Sequence, residues 1–220
     1  MPPAAIPFHR AEKFEHFAVP SRQRISQFSR LRLCRAGLEL FRQGDPAESV
    51  FLIERGLVKL IRAHSDGRED RIVGLRARGW VLGAAAAITN EPYVATAIAV
   101  APSQISRLAA PEFLRLLETD RALSRRIHQM HAREVCGSLS QLGDESTSAR
   151  TRLRRFLEDL ASANGPVAHP REVRIEIPLR QWEIAQLLGV APPYLSELMK
   201  EMQAKGVFRR EEPGVLVLRR

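Results

Sequence analysis

Two cysteines, Cys34 and Cys136, are all that 220 residues contain, so a disulfide framework is not indicated. Long apolar runs are also missing. The best candidate, Val81 to Ile88, is half alanine and falls well short of the ~20 residues a membrane-spanning helix needs. The opening Met1-Pro2-Pro3-Ala4-Ala5 lacks the basic segment and apolar block of a secretory signal. These absences set the expectation of a cytoplasmic protein with no membrane partner. Catalytic signatures are absent as well: there is no nucleophile elbow, phosphate loop or paired metal motif, so an enzyme is not expected.

Positive charge is what the chain has in excess, at a formal +9. Its placement weakens a direct inference to nucleic acid. Residues 1–143 carry 21 positive and 14 negative side chains, and residues 144–220 carry 13 and 11. A basic balance makes an anionic partner plausible without identifying it, so local spacing has to carry the argument.

From Gly37 to Leu108 the chain reads as short strands between turn signals. Leu38-Glu39-Leu40-Phe41 precedes the turn cluster Gln43-Gly44-Asp45-Pro46. Val50 to Ile53 and Leu57 to Ile61 follow, then the hairpin pair Asp66-Gly67, then Ile72 to Leu75. Thr96 to Val100 and Gln104 to Leu108 complete the series. Several strands at this spacing predict a sandwich or barrel rather than a βαβ sheet.

After Pro111 the period becomes helical. Phe113, Leu116 and Leu117 mark a short helix, and a proline-free stretch runs from Arg121 to about Leu142. That stretch carries two stripes: Leu123, Ile127, Met130 and Glu134 on one, Ala132, Val135, Leu139 and Leu142 on the other. Two stripes suit a helix packed on its own domain and on a second helix, which a dimer would supply; packing on its own barrel alone is the simpler alternative. Gly143 to Ser148 reads as a hinge, and Ala149 to Ala163 as a helix stopped by Asn164-Gly165-Pro166.

The C-terminal stretch reads as helix, tight turn, helix and hairpin. Arg180 to Leu188 forms the first helix, Gly189 the turn, and Ala191-Pro192-Pro193 opens a second with Leu195, Leu198, Met199 and Met202 inward. Val207 to Leu218 forms two strands around a turn, a wing. This order lets the second helix enter a major groove. Tyr194, Ser196, Glu197 and Lys200 are its candidate DNA contacts. Arg180 and Gln181 at the start of the first helix, and Arg209 and Arg210 in the wing, are candidates for gripping phosphates.

The order of Leu40-Phe41-Arg42-Gln43-Gly44-Asp45-Pro46, Val50 to Ile53, Gly56 to Leu60, Asp66-Gly67-Arg68-Glu69, Gly79, Gly83, Ala95-Thr96-Ala97, Arg152-Leu153, Phe156-Leu157 and Glu183-Ile184-Ala185 with Leu187-Leu188-Gly189 resembles the Crp/Fnr regulators, from about Gly37 to the end. The resemblance implies an α+β protein: an N-terminal double-stranded jelly-roll (a β-roll) over residues 1–118, a long dimerisation helix and hinge over 119–146, and a winged helix-turn-helix over 147–220. It also implies a homodimer on a twofold-symmetric operator in double-stranded DNA, with RNA polymerase as a partner if the protein activates. A helix-turn-helix that binds protein instead is the alternative.

The effector-contact residues depart from the family pattern. Cyclic-AMP-binding members hold ribose with a glycine-glutamate pair and phosphate with an arginine-serine pair. Here those positions are Gly83-Ala84 and Tyr93-Val94. Neither a carboxylate nor a cation is offered, and a lost charge-assisted bond costs roughly 1.5–3 kcal/mol. The expectation is an effector other than cyclic AMP in the usual mode, or a pocket that is filled by protein. Its candidate lining is Leu82, Gly83, Ala84, Tyr93, Val94, Ala95 and Thr96, with Cys136 on the long helix.

No resident cofactor or metal is expected. The iron-sulfur branch needs clustered N-terminal cysteines, and only Cys34 is present there. For a haem, no ligand pair stands out. His128 and His131, with Glu134, have helical spacing that suits zinc, although solvated histidines are the commoner outcome. Cys136 is either a thiol sensor or an inert side chain.

Overall fold

Among the described residues, eight short strands build the N-terminal part, and each side chain's face follows from strand alternation. The computed structural model describes residues 24–25, 27–63, 70–142, 147–163, 172–212 and 214–219. The strands are β1 (Arg30–Cys34), β2 (Glu39–Phe41), β3 (Ser49–Arg55), β4 (Leu57–Arg62), β5 (Arg71–Ala77), β6 (Val81–Leu82), β7 (Thr96–Ala99) and β8 (Ser103–Ala109). They form two antiparallel four-stranded sheets, in the orders β1-β8-β3-β6 and β2-β7-β4-β5. Val50, Leu52, Ile53, Val58, Ala97 and Ile105 are buried in the core of this roll. The sandwich expected from strand spacing is therefore present. The Asp66-Gly67 turn lies outside the described residues, although β4 and β5 pair on either side of it.

Three elements were not foreseen there. β1 alternates arginine with leucine, leaves Leu31 and Leu33 exposed, and pairs at the sheet edge with β8. β6 and the helix α1 (Ala84–Thr89) occupy the apolar run from Val81 to Ile88. At six residues, α1 is too short for a periodic signal to stand out.

Helix α2 (Ala110–Thr119) carries a proline in its first turn, where no intrahelical donor is lost. Helix α3 (Arg121–Leu142) is capped by Asp120, whose Oδ1 accepts the N–H groups of Ala122 and Leu123 at 3.0 Å each. Leu123, Ile127 and Met130 of α3 join the roll's core. On its other stripe Ala132, Val135 and Leu139 are exposed. The chain divides into two compact units inside this helix, between Ser138 and Leu139. Most of the expected hinge, Gly143 to Ser146, lies outside the described residues.

The second unit contains α4 (Ala149–Ala163), β9 (Glu172–Glu176), α5 (Gln181–Leu188), α6 (Pro192–Ala204), β10 (Phe208–Glu212) and β11 (Val215–Arg219). Its strands form one antiparallel sheet, β10-β11-β9. The wing is thus a hairpin backed by a third strand, Glu172–Glu176, which sequence reading missed. Helix α5 begins one residue later than expected: Arg180 is extended and sits at the N-cap. Gly189 has φ 63° and ends the helix, a conformation that side chains strain to adopt.

Candidate nucleic-acid interface and sensor site

Helix α6 has two chemically opposite faces. Leu195, Leu198, Met199 and Met202 are buried together with Ile184 and Leu188 of α5 and Phe208 of β10. Pro192, Pro193, Tyr194, Glu197 and Lys200 are exposed, and Ser196 is half-buried. Burial of one stripe fixes which side chains can reach a groove. The scaffold beneath is tied by side chains as well. Arg152 Nε donates to the carbonyl of Leu188 at 3.0 Å, joining α4 to the end of α5. Arg150 of α4 is paired with Glu201 of α6, and Lys205 donates to the same carboxylate at 2.6 Å. These two cations hold the Glu201 carboxyl below the usual carboxylate range.

The start of α5 presents Arg180, Gln181 and Trp182, all exposed. Glu183 reaches back to accept the backbone N–H of Arg180 at 2.7 Å, which fixes this first turn. Trp182 was absent from the expected contacts. Its signal is an indole in the first turn of a helix whose inward apolar positions, Ile184, Leu187 and Leu188, are all aliphatic. In the wing, Arg209 and Arg210 are exposed, but Arg209 already pairs with Glu172 (3.3 Å) and Glu211 (3.1 Å). Arg174 pairs with Glu211 at 3.3 Å. Ion pairs of this kind engage part of the unit's basic side chains with its own carboxylates.

In the roll, the expected effector residues separate. Leu82, Ala84, Tyr93 and Ala95 are buried, Gly83 and Thr96 are half-buried, and Val94 is 70% exposed. Tyr93 is engaged by its own protein. Its hydroxyl donates to the Ser49 carbonyl at 2.6 Å and accepts the Ser49 N–H at 3.3 Å. Its ring stacks on Phe41 with centroids 4.0 Å apart, and burial pushes the phenol up from its ordinary pKa. A side chain at Gly83 would meet Tyr93 Cε1 at 2.8 Å, so this close approach also requires glycine. Thr96 Oγ1 accepts the N–H of Gln43 at 3.0 Å. Cys136 is exposed on α3, whereas Cys34 is buried and its thiol is pushed up by burial.

The helical spacing of His128, His131 and Glu134 is put to other contacts. Among the described residues, no three His, Cys, Asp or Glu side chains gather as a metal site. His128 Nδ1 bonds the carbonyl of Ser124 at 2.8 Å. Glu134 is paired instead with Arg76 of β5. Arg76 is the residue that sequence reading passed over, because the apolar run was ended at Leu75. It is buried, with 3% exposure, and its guanidinium lies 4.7 Å from the centre of the Trp80 ring. The available signal was an arginine two positions from Gly74 and four from Ile72, hence on their face of the strand.

Comparison with known proteins places both units. Residues 31–120 match the cyclic nucleotide-binding domain, and residues 151–220 match the Crp-like helix-turn-helix domain. The cyclic AMP receptor protein of Thermus thermophilus is 26% identical over 197 residues, covering 89% of this chain and 86% of that one. The transcriptional activator FnrA of Stutzerimonas stutzeri is 27% identical over 191 residues, 85% of this chain and 76% of its own. The solved structure of FixK2 from Bradyrhizobium japonicum superposes with a TM-score of 0.71 at 20% identity, covering 87% and 93% of the two chains. A cyclic nucleotide-binding domain and a Crp-like helix-turn-helix domain in one chain define a class of transcription regulators. The chain belongs to the Crp/Fnr family.

Proposed function

We propose that the protein is a cytoplasmic homodimer that reads a twofold-symmetric operator, with residues 1–118 as sensor, 119–146 as dimerisation helix and hinge, and 147–220 as DNA-binding domain. The observation that carries this reading is the divided face of α6: Tyr194, Glu197 and Lys200 are exposed over a fully buried opposite stripe. Arg180, Gln181 and Trp182 supply donors beside it for phosphate oxygens. Pro192 and Pro193 have no polar side chain, so the first turn makes no bidentate guanine contact. Glu197 is suited to accept from a cytosine amine, and Lys200 to meet a phosphate. Ser196, Arg209 and Arg210 stand at the margin of this surface.

Dimerisation is supported by the exposed apolar stripe of Ala132, Val135 and Leu139, which lies away from the stripe that anchors α3 to the roll. Cyclic AMP in the usual mode is disfavoured by Ala84 and by the engagement of Tyr93 with Ser49. RNA polymerase is a further partner if the operator lies where the protein activates.

Selection of genomic fragments by the purified protein, then footprinting across a salt series, tests the reading. A protected, twofold-symmetric site whose affinity falls steeply with salt is expected. Equal affinity for random DNA would overturn it and favour a helix-turn-helix that binds protein.

A further inference from the structure

A buried arginine in the interior of a β-roll needs an explanation, because burying a cation is costly unless its charge and donors are met. Arg76 is met only in part. Nη1 donates to the carbonyl of Leu75 at 3.0 Å, and Nη2 is paired with Glu134 Oε1. Nε is buried and has no hydrogen-bond partner. Glu134 therefore engages the guanidinium at one corner and leaves the adjacent N–H of its planar fork unused. Burial holds Arg76 below its ordinary pKa, with Glu134 acting in the opposite direction.

The surroundings accommodate this cation specifically. A Cβ at Gly74 would lie 2.2 Å from Arg76 Nη1, so the absent side chain makes room for the guanidinium. Trp80 offers a ring face on which the cation rests. The counter-ion differs in character from its partner: Glu134 is 34% exposed and sits on α3 one turn beyond the buried Met130. A carboxylate with access to solvent can leave, whereas the arginine cannot.

The geometry points to Arg76 as the receiving group for a small oxyanion effector, a carboxylate or phosphate, which engages Nε and Nη2 together and displaces Glu134. Two parallel N–H···O bonds replace one, and Nε gains the acceptor it lacks. The exchange also releases α3 from β5 at the point where its anchored stripe ends, while Leu123, Ile127 and Met130 keep the first half of the helix in place. The cation missing at positions 93 and 94 is thus supplied from a different strand. The inference rests on the sensor role of this domain, but not on operator binding.

The test uses the full-length chain without DNA. W182F leaves Trp80, in contact with the Arg76 guanidinium, as the remaining tryptophan. Trp80 fluorescence and thermal unfolding are followed against acetate and inorganic phosphate, with chloride at matched ionic strength as the reference. Removing the internal competitor in E134Q should lower the half-saturating concentration of at least one oxyanion by about tenfold or more, as a displaced charge-assisted bond implies. R76K, which keeps the charge but not the fork, should lose the response. Acetate and phosphate arms separate the two oxyanion classes. Identical behaviour of E134Q toward oxyanions and chloride, or a response retained in R76K, overturns the inference. Either result leaves operator binding untouched, since footprinting tests that independently.

Discussion

Tyr194 and Leu195 are neighbours in sequence on α6, and the fold assigns them opposite fates. Leu195 is 0% exposed, and Tyr194 is 50% exposed. Leu195→Ala removes three heavy atoms from the packed interior of the DNA-binding unit, where Leu198, Met202 and Phe208 are also buried. Such truncations cost about 2–5 kcal/mol, because the surroundings collapse only partly into the cavity. A unit of this size has on the order of 4–12 kcal/mol of stability, so the loss is a large fraction of the total. Tyr194→Ala removes a larger side chain but should change stability by no more than about 0.5 kcal/mol, as exposed substitutions do. Its effect should fall on DNA instead: a lost groove contact of about 1–3 kcal/mol weakens operator binding roughly 5- to 150-fold. Urea unfolding followed by circular dichroism measures the first quantity, and fluorescence anisotropy on a labelled operator measures the second. The reasoning fails if Tyr194→Ala leaves operator affinity unchanged, or if its unfolding midpoint falls as far as that of Leu195→Ala.

Other expectations come from neighbouring sites. Lys200→Gln should weaken binding to all sequences alike and reduce the slope of log affinity against log salt by about 0.9, read from titrations at several salt concentrations. Val135→Glu with Leu139→Glu should convert a dimer to monomers in sedimentation experiments while the roll stays folded, because both side chains lie outside its core. Tyr93→Phe leaves the Ser49 carbonyl and N–H without their side-chain partner, so a loss of about 1–3 kcal/mol in the roll is expected, with operator contacts unaffected. His131 is half-buried, and burial holds its pKa below the ordinary histidine value, opposed by Glu134 and reinforced by His128. The unfolded chain therefore binds the proton more readily than the folded one. The neutral ring's contribution is present above about pH 6.5 and declines as pH falls below it. His131→Asn should flatten that part of the stability profile.

The sequence alone determined the order of those elements whose signals are local. Turn residues such as Gly44-Asp45-Pro46, the spacing of Leu123, Ile127 and Met130, and the Leu188-Gly189 helix end each act within a few residues. Family motifs added the architecture, and the face of α6 followed from its period. What depends on distant pairing was not legible. β1 is charged on alternate residues and is a strand only because β8 lies beside it. β9 becomes part of the wing only by pairing with β11, about forty residues later. Positions 93 and 94 visibly carry no cation, but only packing could reveal that Tyr93 is bound to Ser49. Arg76 and Glu134 are 58 positions apart, and nothing local marks them as partners. Tertiary structure decided which cation is buried, which carboxylate faces it and which donor is left over, since burial and charge pairing are properties of the folded interior rather than of any segment.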